Sequence, residues 1–308
     1  MKVFVTGIGG QLGHDCVNEL IKRGHEVVGS DMQLSFAGVN DGTSVVTVPY
    51  VQLDITDEAA VGETIERLKP DAIIHCAAWT AVDAAEDEEN RATVDAINHL
   101  GAQYIAEAAK AVDAKMVYIS TDYVFDGQGE RPWQPDDKNY APLNVYGASK
   151  LAGEMAVSNT LAKYFIVRIA WVFGLSGKNF IKTMINAGKI HDTVRVVNDQ
   201  IGTPTYTYDL AKLLADMIET DKYGYYHATN GESALGEFIS WADLAEEAYR
   251  AASMDVKVVR VTTKEYGLSK AARPFNSRLD KSKLTENGFR SLPDWRDAVC
   301  RYLKEAKL

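Results

Sequence analysis

The stretch Val3-Phe4-Val5-Thr6-Gly7-Ile8-Gly9-Gly10-Gln11-Leu12-Gly13 decides the fold of this 308-residue chain. Three apolar residues read as a short buried strand, and a glycine turn follows at once. Residues 12–23 then read as a helix that stops at Gly24, and Glu26-Val27-Val28-Gly29-Ser30-Asp31 as a second strand ending in an acid. Strand, glycine turn, helix and acid-ended strand together make the βαβ layout that binds dinucleotides. Glycine lets the backbone approach a pyrophosphate, and the helix N-terminus offers free N–H groups and a favourable dipole. The glycines Gly7, Gly10 and Gly13 are spaced GxxGxxG rather than GxGxxG. Gly7, Gly10, Gln11, Leu12 and Gly13 are expected to hold NADPH or NADH. Asp31 is placed to bond the adenosine ribose. It would repel a 2′-phosphate and no arginine follows it, which favours NADH and leaves the coenzyme open.

Working outward, residues 32–47 form a polar, glycine-containing loop. Residues 50–55 read as a third strand with Asp54 at its end, so Asp54 and Ile55 are expected near the adenine. A helix follows to 68. Residues 71–78 form a fourth strand and its exit, and the small side chains Ala77, Ala78 and Thr80 are expected to line the cofactor. The acidic run 82–89 reads as a solvated helix start, and a single long helix is expected from 91 to 112. Asn98 within it either faces solvent or bonds a backbone carbonyl behind the site. Residues 115–119 are a fifth strand, which Ser120-Thr121-Asp122 leaves at its ligand-bearing end. Residues 126–143 carry three prolines and read as a loop, a candidate lid. A helix from 144 to about 159 and a strand at 164–169 complete the pattern. Strands alternating with helices imply an α/β fold, a Rossmann-type doubly wound parallel sheet. Residues 1–170 are expected to form the dinucleotide-binding domain, with a segment near 205–225 returning to it. Residues 171–308 are expected to form mainly a smaller mixed α/β substrate lobe.

Composition narrows the class. The net charge of −10, with no Lys/Arg cluster, argues against nucleic-acid binding. No apolar run is long enough to span a bilayer, and the N-terminus has no signal-peptide layout, so a cytoplasmic protein without membrane partners is expected. Cys16, Cys76 and Cys300 are too dispersed for a disulfide framework, and no histidine spacing fits a metal.

The chemistry centres on Tyr146-Gly147-Ala148-Ser149-Lys150. Four positions apart on a helix, Tyr146 and Lys150 share one face. A phenol has a pKa near ~10, and lowering it by ~3 units needs about 4 kcal/mol of differential stabilisation. An ammonium beside it is one source of that energy, and the Thr121 hydroxyl is placed to bond a substrate carbonyl.

With these residues in hand, the chain resembles the extended short-chain dehydrogenase/reductases, and within them the dTDP-4-dehydrorhamnose reductase family. The resemblance runs through 77–86 (AAWTAVDAAE), 120–127 (STDYVFDG), 142–147 (PLNVYG), 168–174 (RIAWVFG), Asn179-Phe180, 199–205 (DQIGTPT) and 273–277 (RPFNS), so it covers nearly the whole chain. It implies a nucleotide-diphospho-sugar substrate whose 4-keto group is reduced. Tyr146 would be the proton donor, Lys150 would hold the nicotinamide ribose and depress the phenol pKa, and Thr121 would complete the catalytic set. Trp171 would contact the sugar, and Asp122, Asn179, Gln200 and Arg273 are further substrate candidates. A guanidinium suits a diphosphate; a plain ion pair is the competing use of Arg273. Trp79 stands where this family more often has tyrosine or histidine, and Ala170 where Ser or Thr commonly precedes the tryptophan, so the sugar is less fixed than the reaction. Some members are magnesium-linked dimers. No transferable metal motif is present, so no metal is expected and a homodimer stays open. Two other readings compete: another nucleotide-sugar reductase or epimerase, and a non-catalytic regulatory subunit like the β subunit of methionine adenosyltransferase. Tyr123 following Asp122 argues against a dehydratase, which typically has Glu there.

Overall fold

Lys2–Thr6 is a strand (β1) whose Val3, Phe4 and Val5 are buried on both faces, and it occupies the interior of the main sheet. This computed structural model describes residues 1–308 apart from Leu235. The other strands and helices of this layer are α1 (Gln11–Lys22), β2 (Glu26–Asp31), β3 (Tyr50–Gln52), α2 (Glu58–Leu68), β4 (Ala72–His75), α3 (Glu88–Asp95), α4 (Gly101–Ala111), β5 (Lys115–Thr121), α5 (Val145–Thr160) and β6 (Tyr164–Ile169). The chain then forms β7 (Val172–Phe173), α6 (Phe180–Gly188), β8 (Thr193–Val197), β9 (Ile201–Gly202), β10 (Thr205–Tyr206), α7 (Thr207–Ile218) and β11 (Gly224–His227). It ends with β12 (Ile239–Ser240), α8 (Trp241–Ala251), β13 (Lys257–Val261), α9 (Thr263–Tyr266), β14 (Asn276–Ser277), α10 (Ser282–Glu286) and α11 (Trp295–Glu305).

The main sheet has seven strands in the order β11-β6-β5-β4-β1-β2-β3, all parallel. Parallel pairing requires crossovers, and the helices that make them cover both faces. On α1 the residues Leu12, Cys16, Val17 and Leu20 fall on one face and are buried against the sheet and α7. Helices α2, α4 and α5 cover the other face through Val61, Ile65, Ile105, Ala106, Ala109 and Val157. The strand order reverses between β1 and β4, where the carboxyl ends leave a crevice for ligands.

Two expectations need correction. The third strand stops at Gln52 rather than 55, because the Asp54 carboxylate accepts the Thr56 N–H and hydroxyl (2.9 and 2.7 Å) and turns the chain into α2. The expected single helix over 91–112 is α3 and α4 joined by a π-helical turn, Ala96–Leu100, whose extra residue places Asn98 inward. The 126–143 segment is a loop, as expected, and is anchored at Pro135 and Tyr140. Arg168 on β6, fully buried, donates to both Glu154 oxygens (2.8 and 2.7 Å), to Pro135 O (3.1 Å) and to the Tyr140 hydroxyl (3.1 Å). Its guanidinium also lies 4.9 Å from the rings of Phe125 and Tyr225.

Residues after β6 form a separate apolar cluster around Phe173, Ile185, Tyr206, Leu244, Tyr249, Trp295 and Tyr302. It carries a parallel pair (β8/β13), a second parallel pair (β7/β10) and a three-stranded sheet ordered β12-β9-β14. Helix α7 and strand β11 return to the main sheet.

Candidate active site

The glycine turn is built for a close ligand. Gly7 has φ +71°, and a Cβ there would lie 2.7 Å from Ala77 N; a Cβ on Gly13 would lie 2.3 Å from Gly7 O. Gly10 caps α1 with no side-chain hydrogen bond, so the helix's first amides are left for an anion. Asp31 accepts the Gly9 N–H (3.0 Å) and the Met32 N–H (2.8 Å), which fixes its carboxylate at the mouth of the turn. A cleft of about 450 Å³ lies beyond the ends of β2 and β3, lined by Met32, Gln52, Leu53 and Asp54. These residues fit a dinucleotide: a backbone cradle that any side chain would fill, free helix amides and an acid for a ribose.

Not every expected cofactor residue offers a side chain. Leu12 and Ile55 are core residues, and Ile55 packs on Gly101 of α4. The Gln11 side chain turns to the C-terminal lobe: its Oε1 accepts Asn179 Nδ2 (3.2 Å). Ser176 Oγ donates to Gly9 O (2.8 Å), so residues 174–179 cover the turn. Beyond β4, the Ala77 N–H donates to Thr6 Oγ1 (3.2 Å), Ala78 is half-buried and Thr80 is exposed.

The chemical end lies at the carboxyl ends of β5 and β6, where Thr121 pairs in register with Ile169. Asn144 caps α5 by accepting the Gly147 N–H (2.7 Å), which presents Tyr146 in the first turn and buries Lys150 one turn on. Thr121 Oγ1 donates to Asp122 Oδ1 (3.0 Å) and accepts the Tyr123 N–H (3.2 Å). Burial pushes the Tyr146 phenol well above its ordinary value, the Asp122 charge adds to the rise, and the Thr121 hydroxyl opposes it. Burial also raises the Asp122 carboxyl to about 6, against the hydrogen bonds of Ser277 and Thr121.

The expected depression of the phenol by Lys150 is absent in this state. Burial lowers the Lys150 ammonium to about 7, while Glu154 and Cys76 favour its charge. Its Nζ lies over the Tyr118 ring, 4.1 Å from the centroid, rather than engaging the phenol. Tyr118 faces His75 across β4/β5 at 6.0 Å, and His75 is held neutral, lowered to about 3 by burial and by Lys150.

The sequence leaves Asn98 two options, and the π turn decides between them. Asn98 Oδ1 accepts the Trp79 N–H (2.9 Å), and its Nδ2 donates to Trp79 O (3.1 Å) and to Ser149 Oγ (3.0 Å). The Tyr118 hydroxyl donates to Asn98 O (3.1 Å). One amide therefore joins the β4 exit to α5. The Tyr118–His75 floor has a signal in the sequence, tyrosine and histidine within otherwise apolar strands, but the pairing itself comes from the strand register.

The substrate candidates separate. Asp122 adjoins Thr121. Trp171 follows Ile169 closely, half-buried, with φ +51°. Arg273 is bound by Asp83 through both terminal nitrogens (3.0 and 2.7 Å), which also accepts the Lys270 and Ala271 N–H groups (both 3.0 Å). Arg273 also neighbours Tyr123, whose ring meets Tyr146 edge-on at 5.8 Å. Asn179 caps α6 and bonds Gly174 O and the Tyr302 hydroxyl (both 2.9 Å), beside the glycine turn. Gln200 is buried and donates to Thr263 Oγ1 (3.0 Å). Among the described residues no cluster of His, Cys, Asp and Glu is arranged to hold a metal, and no helix is long and apolar enough to cross a membrane.

The family profile of the RmlD substrate binding domain matches residues 1–308. A dTDP-4-dehydrorhamnose reductase from Streptomyces griseus is 39% identical over 302 residues, covering 96% of this chain and 91% of that protein. The crystal structure of a dTDP-4-dehydrorhamnose reductase from Clostridium acetobutylicum is 38% identical, covers 100% of both chains and superposes with a TM-score of 0.89. That of the Bacillus anthracis dTDP-4-dehydrorhamnose reductase, in complex with NADP, is 39% identical, covers 99% of both chains and has a TM-score of 0.87.

Proposed function

The chain belongs to the RmlD substrate binding domain family, and from that premise we propose that it is an NAD(P)H-dependent oxidoreductase that reduces the 4-keto group of dTDP-4-dehydro-β-L-rhamnose to give dTDP-L-rhamnose. The observation that carries the reading is the convergence of the Thr121 hydroxyl, the Tyr146 phenol and Asp122 at the carboxyl edge of β5, on a sheet whose glycine turn fits a dinucleotide. Gly7, Gly10, Gly13 and Asp31 would hold the reduced nicotinamide cofactor, which supplies the hydride.

The chain's own residues supply the rest. The raised phenol keeps Tyr146 protonated at neutral pH, the form required to give a proton to the carbonyl oxygen as it becomes an alcohol. Thr121 orients that oxygen or the phenol. Lys150, whose ammonium burial lowers to about 7, would hold the nicotinamide ribose and in its charged form would favour the developing phenolate. Trp171 borders the sugar. Arg273 has a diphosphate as its alternative to Asp83.

The test is coenzyme oxidation by the purified protein with dTDP-4-dehydro-β-L-rhamnose generated in situ, beside a Tyr146→Phe variant. Turnover in the wild type that falls by about 10²–10⁴-fold in the variant is expected. Oxidation of neither NADH nor NADPH, with coenzyme binding confirmed, would sink the reading.

A further inference from the structure

Trp171 stands out for its backbone. Five non-glycine residues have positive φ among those described, and Trp171 is the one aromatic among them. A bulky residue in that region is strained and persists where its surroundings over-determine it. The bend is where the chain leaves β6 for β7. Thr205 pins it from below: its N–H donates to Trp171 O (3.2 Å) and its Oγ1 to Ala170 O (2.6 Å). The indole is held from two further sides. Trp241, first residue of α8, stacks on it with centroids 3.9 Å apart and planes 18° from parallel, and Phe180 backs Trp241 at 4.6 Å. Gly202 of β9 lies along the indole's edge. A Cβ there would sit 3.0 and 3.1 Å from Trp171 Cε2 and Cζ2, and 2.9 Å from Ser277 Cβ on the paired strand β14. Trp171 is nevertheless half-buried rather than buried, and its backbone stands two residues beyond Ile169, which pairs with Thr121.

We propose that Gly202 and Trp241 are positioning residues that fix the Trp171 indole as one wall of the sugar pocket, with the missing side chain at 202 setting that wall's depth; this rests on the reductase reading above. A core tryptophan needs packing partners but no left-handed backbone. Here the strain, the stack and the bare glycine all act on one half-exposed ring. A methyl group at 202 has no space unless the indole or Ser277 yields, and the stacked Trp241 blocks retreat toward α8. The indole then moves into the pocket, where a hexose is sensitive to displacements of a methyl's size.

The experiment compares wild type, Gly202→Ala, Trp171→Phe, the double variant and Trp241→Leu, with KM and kcat for the 4-keto nucleotide sugar, KM for the coenzyme and circular dichroism of each protein. Stacked indoles give an exciton couplet, so the Trp171–Trp241 geometry is read without substrate. Gly202→Ala is expected to raise the sugar-nucleotide KM by about tenfold with coenzyme KM unchanged and a reduced couplet, and to add nothing in the Trp171→Phe background. Trp241→Leu is expected to abolish the couplet and raise the same KM; it carries the test alone should Gly202→Ala not fold. An unchanged KM, or an equal effect of Gly202→Ala in both backgrounds, which would route it through Ser277, overturns the proposal. A wild type inactive on the keto sugar sinks the reductase reading and the sugar pocket together, whereas an active wild type with an indifferent Gly202→Ala sinks the positioning claim alone.

Discussion

Asp122 illustrates how one buried carboxyl couples stability to pH. Its folded value is about 6 against an ordinary 3.8, so the protonated form is the one folding favours. The contribution is fully present below the unfolded value and is lost as pH rises through about 6. A gap of that size corresponds to about 3 kcal/mol. Urea unfolding should show wild type losing stability between about pH 4 and pH 7 from this source, and Asp122→Asn, which keeps the Thr121 hydrogen bond, should flatten that part of the profile. A wild-type profile identical to the variant's would show that Asp122 is solvated. Lys150 makes the complementary case. Its place on α5 was legible from Tyr146-x-x-x-Lys150, but its resting contact depends on Tyr118 and His75 from two other strands, which no local pattern encodes. Asn179 was likewise visible as a polar residue opening a helix, while its partner Tyr302 stands 123 positions away.

Among the elements, the loop between β2 and β3 has an anchor with its own titration. His14 on α1 is buried, with Nδ1 2.9 Å from Asp15 Oδ1 and Nε2 3.0 Å from Asp41 Oδ2. Burial alone would lower its pKa; the two carboxylates outweigh burial and raise it. The clamp is complete when both ring nitrogens carry protons, so its stabilisation is present below the ordinary imidazole value and is lost as pH rises through the raised one. Amide exchange at Thr43 and Val45 is expected to show an acceleration above the intrinsic pH trend as the clamp opens, and His14→Gln should lack that step. Absence of the step in wild type would mean that the loop is held otherwise. Periodicity exposes most elements: the apolar run 164–169 coincides with β6. It did not expose the π turn, because an inserted residue leaves an alanine-rich helical segment looking continuous. Nor did it expose β9, β12 and β14, two-residue strands defined by partners rather than by pattern.

For the molecule as a whole, charge and burial give two further expectations. No lysine or arginine occurs between residues 24 and 66, and the cleft beyond Asp31 carries Asp54, Asp57 and Glu63 against Arg67 alone. A 2′-phosphate gains little there. Steady-state kinetics should give NADH the higher kcat/KM, by about tenfold or 1.4 kcal/mol, with Asp31→Asn narrowing the gap by improving NADPH. A wild type that favours NADPH would refute this. The second concerns Arg168 and Glu154, both fully buried, which join β6, α5 and the 126–143 segment. Glu154→Gln leaves a buried guanidinium half-matched and should cost about 3–5 kcal/mol in urea unfolding. Removing both charges with Glu154→Leu/Arg168→Met should cost less than either single change; an additive loss would show that the two charges do not act as a pair.

The Asn179–Tyr302 hydrogen bond has a consequence for how the protein comes into being. Through Asn179 and Gln11, the last helix stands two hydrogen bonds from the first turn of the chain. The strand, turn and helix of residues 2–22 are made long before α11, yet their covering segment 174–179 lacks its Tyr302 partner until α11 has docked. Docking of α11 thus completes the cover over the glycine turn, so damage confined to that helix loosens the turn, however completely the sheet has formed.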